Sequence, residues 1–390
     1  TMIDQYKFQL TTQLTAGVGI SRTLPELMRS WGYANSLILV DEGVALHSEY
    51  FTEVSELLRG SLNSLAIEVL RGTVEPDYDY VDAIAAKVRA LPKLDSIVAI
   101  GGGSCLDVAK AVAVLRTNSG RALEYRGFDK VTVPGVPTVC IPSTAGTGSE
   151  VTINASFIDL AEKKKLGING RYLNATHAVL DANWTLSCPV SVAVSSGMDA
   201  LVHSLESYMC KTSNPITRVF SAHAFAKLYV TLPCLVEDPR NQDKRQELLL
   251  ASYLAAIALF NSGSGIAGAL SYPLGVYYGV PHGIGGGIFI ASVIEYNVNR
   301  GYLDYAALFD LVAPNQSLTL DQKNREFAIM LRKLSERLGV PRYLTQWGIT
   351  AARLDEVAAL MRILQGAFDQ NPLPFSADAD ARAMLAAHLE

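Results

Sequence analysis

One stretch constrains the fold of this chain more than any other. Residues 96–115 read SIVAIGGGSCLDVAKAVAVL: a short apolar run, three consecutive glycines, then a second run with helical spacing. A short apolar run closed by glycine reads as a strand buried on both faces. Residues 107–115 read as the helix that follows it. A strand that turns through glycine straight into a helix opens a βαβ unit, and such units build parallel sheets covered by helices.

The alternation extends through the first half. Residues 36–40 (SLILV) end at Asp41-Glu42-Gly43 as a strand and its turn. Residues 66–70 and 138–141 are further strand candidates, and 48–59 and 80–91 carry apolar residues along one helical side. After about residue 186 the strand signals fade. Helical patterns follow at 192–209, 216–232, 244–260, 288–296, 327–338 and 354–365, punctuated by Pro189, Pro215, Pro233 and Pro341. A chain of 390 residues is long enough for two cores. The expected fold is an α/β N-terminal domain with a parallel sheet over residues 1–185, joined to an all-α C-terminal domain over 186–390.

Composition narrows the partners. With 49% hydrophobic and 18% charged residues the chain is an ordinary folded protein. The net charge is −5, and the longest basic run is Lys163-Lys164-Lys165, expected in a loop, so a nucleic-acid surface is not expected. Five cysteines occur without a CxxC pair, and three lie in apolar or helical runs. They read as free thiols in a reducing compartment rather than a zinc-thiolate site. No charged segment leading into an apolar one opens the chain, and no run of about 18 apolar residues occurs. A soluble, cytoplasmic protein with no membrane partner is expected.

The glycine turn carries the first chemistry. Gly101, Gly102 and Gly103 allow backbone N–H groups to approach a phosphate that a Cβ would hold off. Ser104 and Asp107 have capping-box spacing, and the helix N-terminus behind them favours an anion. A tight strand-to-helix turn without ligand remains the plainer alternative, since GGGSxxD is not the GxGxxG pattern. Asp41, at the end of an earlier strand, suits the ribose of an adenosine and disfavours a 2′-phosphate, so NAD is expected over NADP. It would serve equally as a helix cap. Residues 142–152 (PSTAGTGSEVT) form a second loop after a strand, dense in hydroxyls and glycines. Two such loops on one parallel sheet meet at its carboxyl edge, where ligands bind.

A second constellation lies downstream. Asp199 and His203 are four residues apart, on one face of a helix, and His282 sits in Val280-Pro281-His282-Gly283. A carboxylate with imidazoles suits Fe²⁺ or Zn²⁺; taken alone, the pair Asp199 and His203 reads more simply as an ion pair. His47, His177, His223 and His388 have no partner at ligand spacing and read as core or surface residues.

Five segments together give a resemblance: GGGSCLDVAK (101–110), IPSTAGTGSEVTINA (141–155), GMDALVHSLESY (197–208), YPLGVYYGVPHG (272–283) and NPLPFSADADARAML (371–385). The chain resembles the iron-containing, group III alcohol dehydrogenases over nearly its whole length. The resemblance implies a dehydroquinate synthase-like architecture, in which a dinucleotide-binding domain faces a helical metal-binding domain. It implies NAD-dependent, reversible hydride transfer on an alcohol or carbonyl substrate and a homodimer or larger homo-oligomer. Carried over residue by residue, Asp41 would contact the adenosine ribose. Gly101, Gly102, Gly103 and Ser104 would hold the pyrophosphate, with Asp107 beside them. Ser143, Thr144, Thr147, Thr152 and Lys165 would line the rest of the cofactor, and Asp199, His203 and His282 would bind the metal.

The chain departs from the family at two positions. The usual metal site has one aspartate and three histidines. The third of these falls fourteen residues before the PHG histidine, where this chain has Gly268. A further histidine near the substrate usually precedes PLG, and here it is Tyr272. The departures leave a weakened three-ligand site, a metal-free enzyme in which Tyr272 and His282 polarise and protonate the substrate, or loss of activity. The wider pocket points to a polyol, sugar or biosynthetic intermediate. Two rival readings are an NAD-using cyclase or lyase resembling dehydroquinate synthase, and a non-catalytic dinucleotide-binding relative.

Overall fold

The computed structural model describes residues 5–71 and 75–390. They form two compact units: residues 10–193 with 240–253, and residues 5–9 with 194–239 and 254–390.

The first unit is built on nine strands: β1 (Gln13–Ala16), β2 (Asn35–Asp41), β3 (Ser64–Leu70), β4 (Ser96–Gly101), β5 (Gly127–Phe128), β6 (Thr138–Pro142), β7 (Asn154–Asp159), β8 (Lys164–Asn169) and β9 (His177–Leu180). Six form the main sheet in the order β1-β9-β6-β4-β2-β3, with every pairing parallel. The helices are α1 (Leu24–Ser30), α2 (Glu42–His47), α3 (Glu49–Ser61), α4 (Tyr78–Ala90) and α5 (Gly103–Thr117). Alternation along the strands divides the core. Leu37, Leu39, Ile97, Ala99 and Cys140 pack with α4 and α5, whereas Ile38, Val40, Val98, Ile100 and Val139 pack with α1, α3 and Trp184. Both faces are apolar because both are covered, which is why β2 and β4 lack alternation in sequence.

A smaller sheet, β5-β8-β7, flanks the first. It corrects one expectation: the basic triplet is not all loop. Lys163 turns the β7–β8 hairpin at φ 50°, and Lys164 and Lys165 open β8.

The second unit is helical: α6 (Val190–Met209), α7 (Pro215–Thr231), α8 (Cys234–Glu237), α9 (Gln242–Phe260), α10 (Ile266–Tyr278), α11 (His282–Asn299), α12 (Tyr305–Val312), α13 (Leu320–Arg337), α14 (Leu354–Met361), α15 (Gln365–Phe368) and α16 (Ala379–Ala386). The first residues of α6 and the first part of α9 belong with the α/β unit. There the Gln246 amide donates to the Leu180 carbonyl and accepts from the Ala182 N–H. The stretch Pro215–Glu237 is long and apolar enough to cross a membrane by length and composition. Its α7 buries Thr217, Ser221, Ala224, Phe225 and Leu228 on one side, where Phe225 packs on Phe327 of α13, and leaves Val219 and Val230 exposed on another. Helix α10 is absent from the sequence pattern. It contains Pro273 and two glycines, and burial of Ile266, Ala267, Leu270 and Leu274 overrides their poor helix propensity.

One buried charge ties α5 to the loop before β7 and to the start of that strand. Lys110 of α5 is 1% exposed. Its ammonium donates to the carbonyls of Ser149, Thr152 and Asn154 and to the Thr152 hydroxyl, with Asp107 at 3.5 Å. A buried cation is tolerated only when its donors are this fully matched. Lys110→Met is expected to lower the unfolding free energy by roughly 3 kcal/mol, because it leaves buried acceptors unpaired. Urea denaturation checks this; an unchanged midpoint would contradict it.

Candidate active site

The dinucleotide-side residues gather at the carboxyl ends of β2, β4 and β6. Asp41 ends β2, Gly101 ends β4, and Ser143 follows β6 with its N–H on the Gly101 carbonyl at 2.9 Å. The three glycines have different reasons. A Cβ on Gly101 would lie 2.8 Å from the Asp41 Cβ and 2.6 Å from the Cys105 Cβ; one on Gly103 would lie 2.5 Å from Thr147. Those two are required by the protein's own packing. A Cβ on Gly102 would meet only Thr144, at 3.6 Å.

Gly102 is the N-cap of α5, and no side chain caps that helix. The capping box expected from Ser104 and Asp107 is therefore not realised. The helix starts earlier, Ser104 is exposed inside its first turn, and the Asp107 carboxylate accepts from the Ser149 hydroxyl and the Ser156 N–H. Asp107 holds the second loop onto α5 instead. The uncapped N–H groups of a fifteen-residue helix favour an anion such as a pyrophosphate.

Other expected cofactor residues are already engaged. Asp41 caps α2 by accepting from the Gly43 N–H at 2.8 Å, and burial raises its carboxyl above the ordinary value. The Thr152 hydroxyl accepts from Lys110, and Lys165 pairs with Glu75 at 2.9 Å. Thr144 and Thr147 lie in the loop beside the glycine turn; Thr147 is exposed, and its hydroxyl accepts from the Ser149 N–H.

In the helical unit the three expected metal residues come together. Asp199 Oδ1 lies 3.3 Å from His203 Nε2, one turn along α6, and 3.5 Å from His282 Nε2 at the start of α11. The three donor atoms lie within 4.8 Å of one another, and Asp199 is buried. Gly283 makes this possible: a Cβ there would sit 1.8 Å from the Ser195 carbonyl oxygen and 3.1 Å from the Asp199 Cβ. Only glycine lets the first turn of α11 approach α6 so closely. The Ser271 hydroxyl of α10 bonds the His282 carbonyl at 2.7 Å. Tyr272 packs on the His282 ring, with centroids 4.5 Å apart.

The donor set, one carboxylate and two imidazoles, fits a divalent iron or zinc ion with positions left open. One orienting contact common at such sites is absent among the described residues. The His203 Nδ1 is buried without a partner, whereas a metal-binding imidazole normally donates its second N–H to a neighbour. Gly268 offers its backbone alone, and its N–H is bonded to Glu206.

The remaining histidines fit their reading as core or surface residues. His47 and His223 are exposed, and His388 is buried. His177 is buried against Trp31, with ring centroids 3.7 Å apart, and burial pulls its pKa down to about 4. Sequence reasoning missed Lys110, Glu206 and Gly283. A lysine in the apolar run VAKAVAV and a glutamate two turns beyond Asp199 on one helix were the available signals.

Two family models match the chain: "Iron-containing alcohol dehydrogenase" over residues 11–182, and "Fe-containing alcohol dehydrogenase family, C-terminal" over 193–385. Among individual proteins, the chain is 29% identical over 350 residues to an NAD-dependent methanol dehydrogenase of Bacillus methanolicus, covering 88% of this chain and 89% of that protein. It is 30% identical to long-chain-alcohol dehydrogenase 1 of Geobacillus thermodenitrificans, covering 75% and 74%. Among solved structures, a 1,3-propanediol oxidoreductase superposes with a TM-score of 0.90 at 24% identity, covering 98% of this chain and 99% of the other.

Gly283→Ala is expected to push α11 away from α6 and part His282 from Asp199. Zn²⁺ titration of the folded variant should show metal affinity lowered by about 10- to 100-fold, the range seen when ligand-orienting contacts are lost. Unchanged affinity would contradict the geometry.

Proposed function

The chain belongs to the iron-containing alcohol dehydrogenase family, and from that premise we propose how its own residues carry the chemistry. It is an NAD-dependent oxidoreductase acting on alcohols or their carbonyl counterparts. The observation that carries the proposed site is the convergence of Asp199, His203 and His282 on one point. These three residues hold a divalent iron or zinc ion. Such an ion would supply Lewis-acid polarisation of a substrate oxygen, and a bound nicotinamide would supply the hydride chemistry.

The protein supplies binding, orientation and a proton site. The uncapped start of α5 at Gly102–Ser104 binds the pyrophosphate through backbone N–H groups. Ser143, Thr144 and Thr147 add hydroxyls, and the Asp41 carboxylate accepts from the ribose while keeping its bond to Gly43. That acidic position favours NAD over NADP. Asp107, Thr152 and Lys165 shape this region through protein contacts rather than by direct ligation. The Tyr272 hydroxyl, on a ring packed at a tilt against His282, holds or donates a proton at the substrate oxygen. The departures at 268 and 272 alter the lining beside His282, and the substrate class read from them is a polyol, sugar or biosynthetic intermediate. The enzyme acts in the cytoplasm as a homo-oligomer; the free state of its five cysteines accords with a reducing compartment.

The test is NADH oxidation with a panel of aldehydes and ketones, each with added Fe²⁺, added Zn²⁺, or chelator. Turnover with metal that falls at least about tenfold on chelation is expected, with NADPH a poorer donor. Equal rates with chelator would remove the ion from the account, and no oxidation in any arm would remove the dehydrogenase reading. Net-redox-neutral conversion would favour the cyclase alternative.

A further inference from the structure

Helix α10 has no side-chain cap of its own. Gly265 occupies its N-cap position with an extended backbone, and the first turn leaves N–H groups to be matched. They are matched from another helix. Glu206 of α6 is 1% exposed, and its two carboxylate oxygens accept from the Gly265 and Gly268 N–H groups, each at 3.0 Å. Burial pushes this carboxyl up to about 7, against the pull of the N–H groups of Gly268, Gly265 and Ala267.

The glycines fit the carboxylate. A Cβ on Gly265 would lie 3.0 Å from the Glu206 carboxyl carbon, and one on Gly268 would lie 2.9 Å from Oε2. Position 268 is therefore bare for a local reason: Glu206 fills the space its side chain would enter. The next turn of α10 carries Ser271 and Tyr272, the first bonded to the His282 carbonyl and the second packed on its ring. Helix α6 carries Asp199, His203 and Glu206 along one side at spacings of four and three. One helix thus presents two donors and the clamp that sets a neighbouring helix.

We propose that Glu206 is a positioning residue. Its buried carboxylate anchors the N-terminus of α10 to α6 and thereby fixes Tyr272 against His282. This rests on the role given above to Tyr272. Losing the anchor lets the first turn of α10 fray or rotate and moves the tyrosine, while the donors on α6 and α11 stay in place.

The experiment pairs Glu206→Ala and Glu206→Gln with Tyr272→Phe and the double variants, in the metal-loaded full chain. Each variant is also titrated with Co²⁺, whose visible spectrum reports the donor set without turnover. Glu206→Ala is expected to lower kcat on the order of 100-fold, the effect of a displacement near 1 Å. Co²⁺ affinity and spectrum should be unchanged. Glu206→Gln, which keeps one acceptor oxygen, should lie between it and the parent. In the Tyr272→Phe background neither substitution should cost more than a small factor, because the group being positioned is gone. Losses that multiply instead would overturn the proposal and leave the function intact. So would a Co²⁺ spectrum that changes in a folded Glu206→Gln variant. A Tyr272→Phe enzyme with undiminished kcat would sink the role of the tyrosine itself, and this proposal with it.

Discussion

The site depends on how closely α11 approaches α6. His282 is the first residue of α11, and Gly283 follows it where a side chain would overlap the Ser195 carbonyl. That contact delivers an imidazole from one helix to a carboxylate on another, so that Asp199 lies within 3.5 Å of both histidines. Packed helices change separation in discrete steps rather than continuously. A single methyl group at 283 would overlap the Ser195 carbonyl at this close approach of α11 to α6. The Ser271 hydroxyl on the His282 carbonyl extends the constraint to α10 and sets the tyrosine there.

The α/β unit solves a different problem with similar means. Its ligand edge is made of loops, which need internal fixing to present N–H groups and hydroxyls in one arrangement. The fixing comes from α5. Asp107 and Lys110, three apart on that helix, bind the following loop through Ser149 and Thr152 and the start of β7 through Asn154 and Ser156. The helix that offers its uncapped N-terminus to an anion also organises the loop beside it. A buried ammonium and a partly buried carboxylate are costly in isolation, and their complete hydrogen bonding makes the arrangement rigid.

How much of this the sequence carries follows from the range of each interaction. The parallel sheet, the glycine turn and the pair Asp199 and His203 are local patterns, and they are legible because neighbours in the chain fix them. His282 was legible through its motif. Helix α10 was not: Pro273, Gly268 and Gly275 argue against a helix, and only burial against α11 overrides them. The capping box at Ser104 and Asp107 had the right spacing, but Gly102 starts the helix and Asp107 serves the loop. Glu206 caps a helix whose N-cap residue lies 59 positions later, a pairing no sequence spacing announces. Gly268 reads from sequence as a lost histidine; in three dimensions it is also the place a buried carboxylate occupies.

The central proposal is that Asp199, His203 and His282, one carboxylate and two imidazoles, hold a divalent ion. X-ray absorption of the zinc-loaded protein counts the imidazoles on the metal directly. Two, with oxygen donors completing the coordination, is the expected result. Three imidazoles, or zinc bound elsewhere with Asp199→Asn leaving the spectrum unchanged, would contradict it.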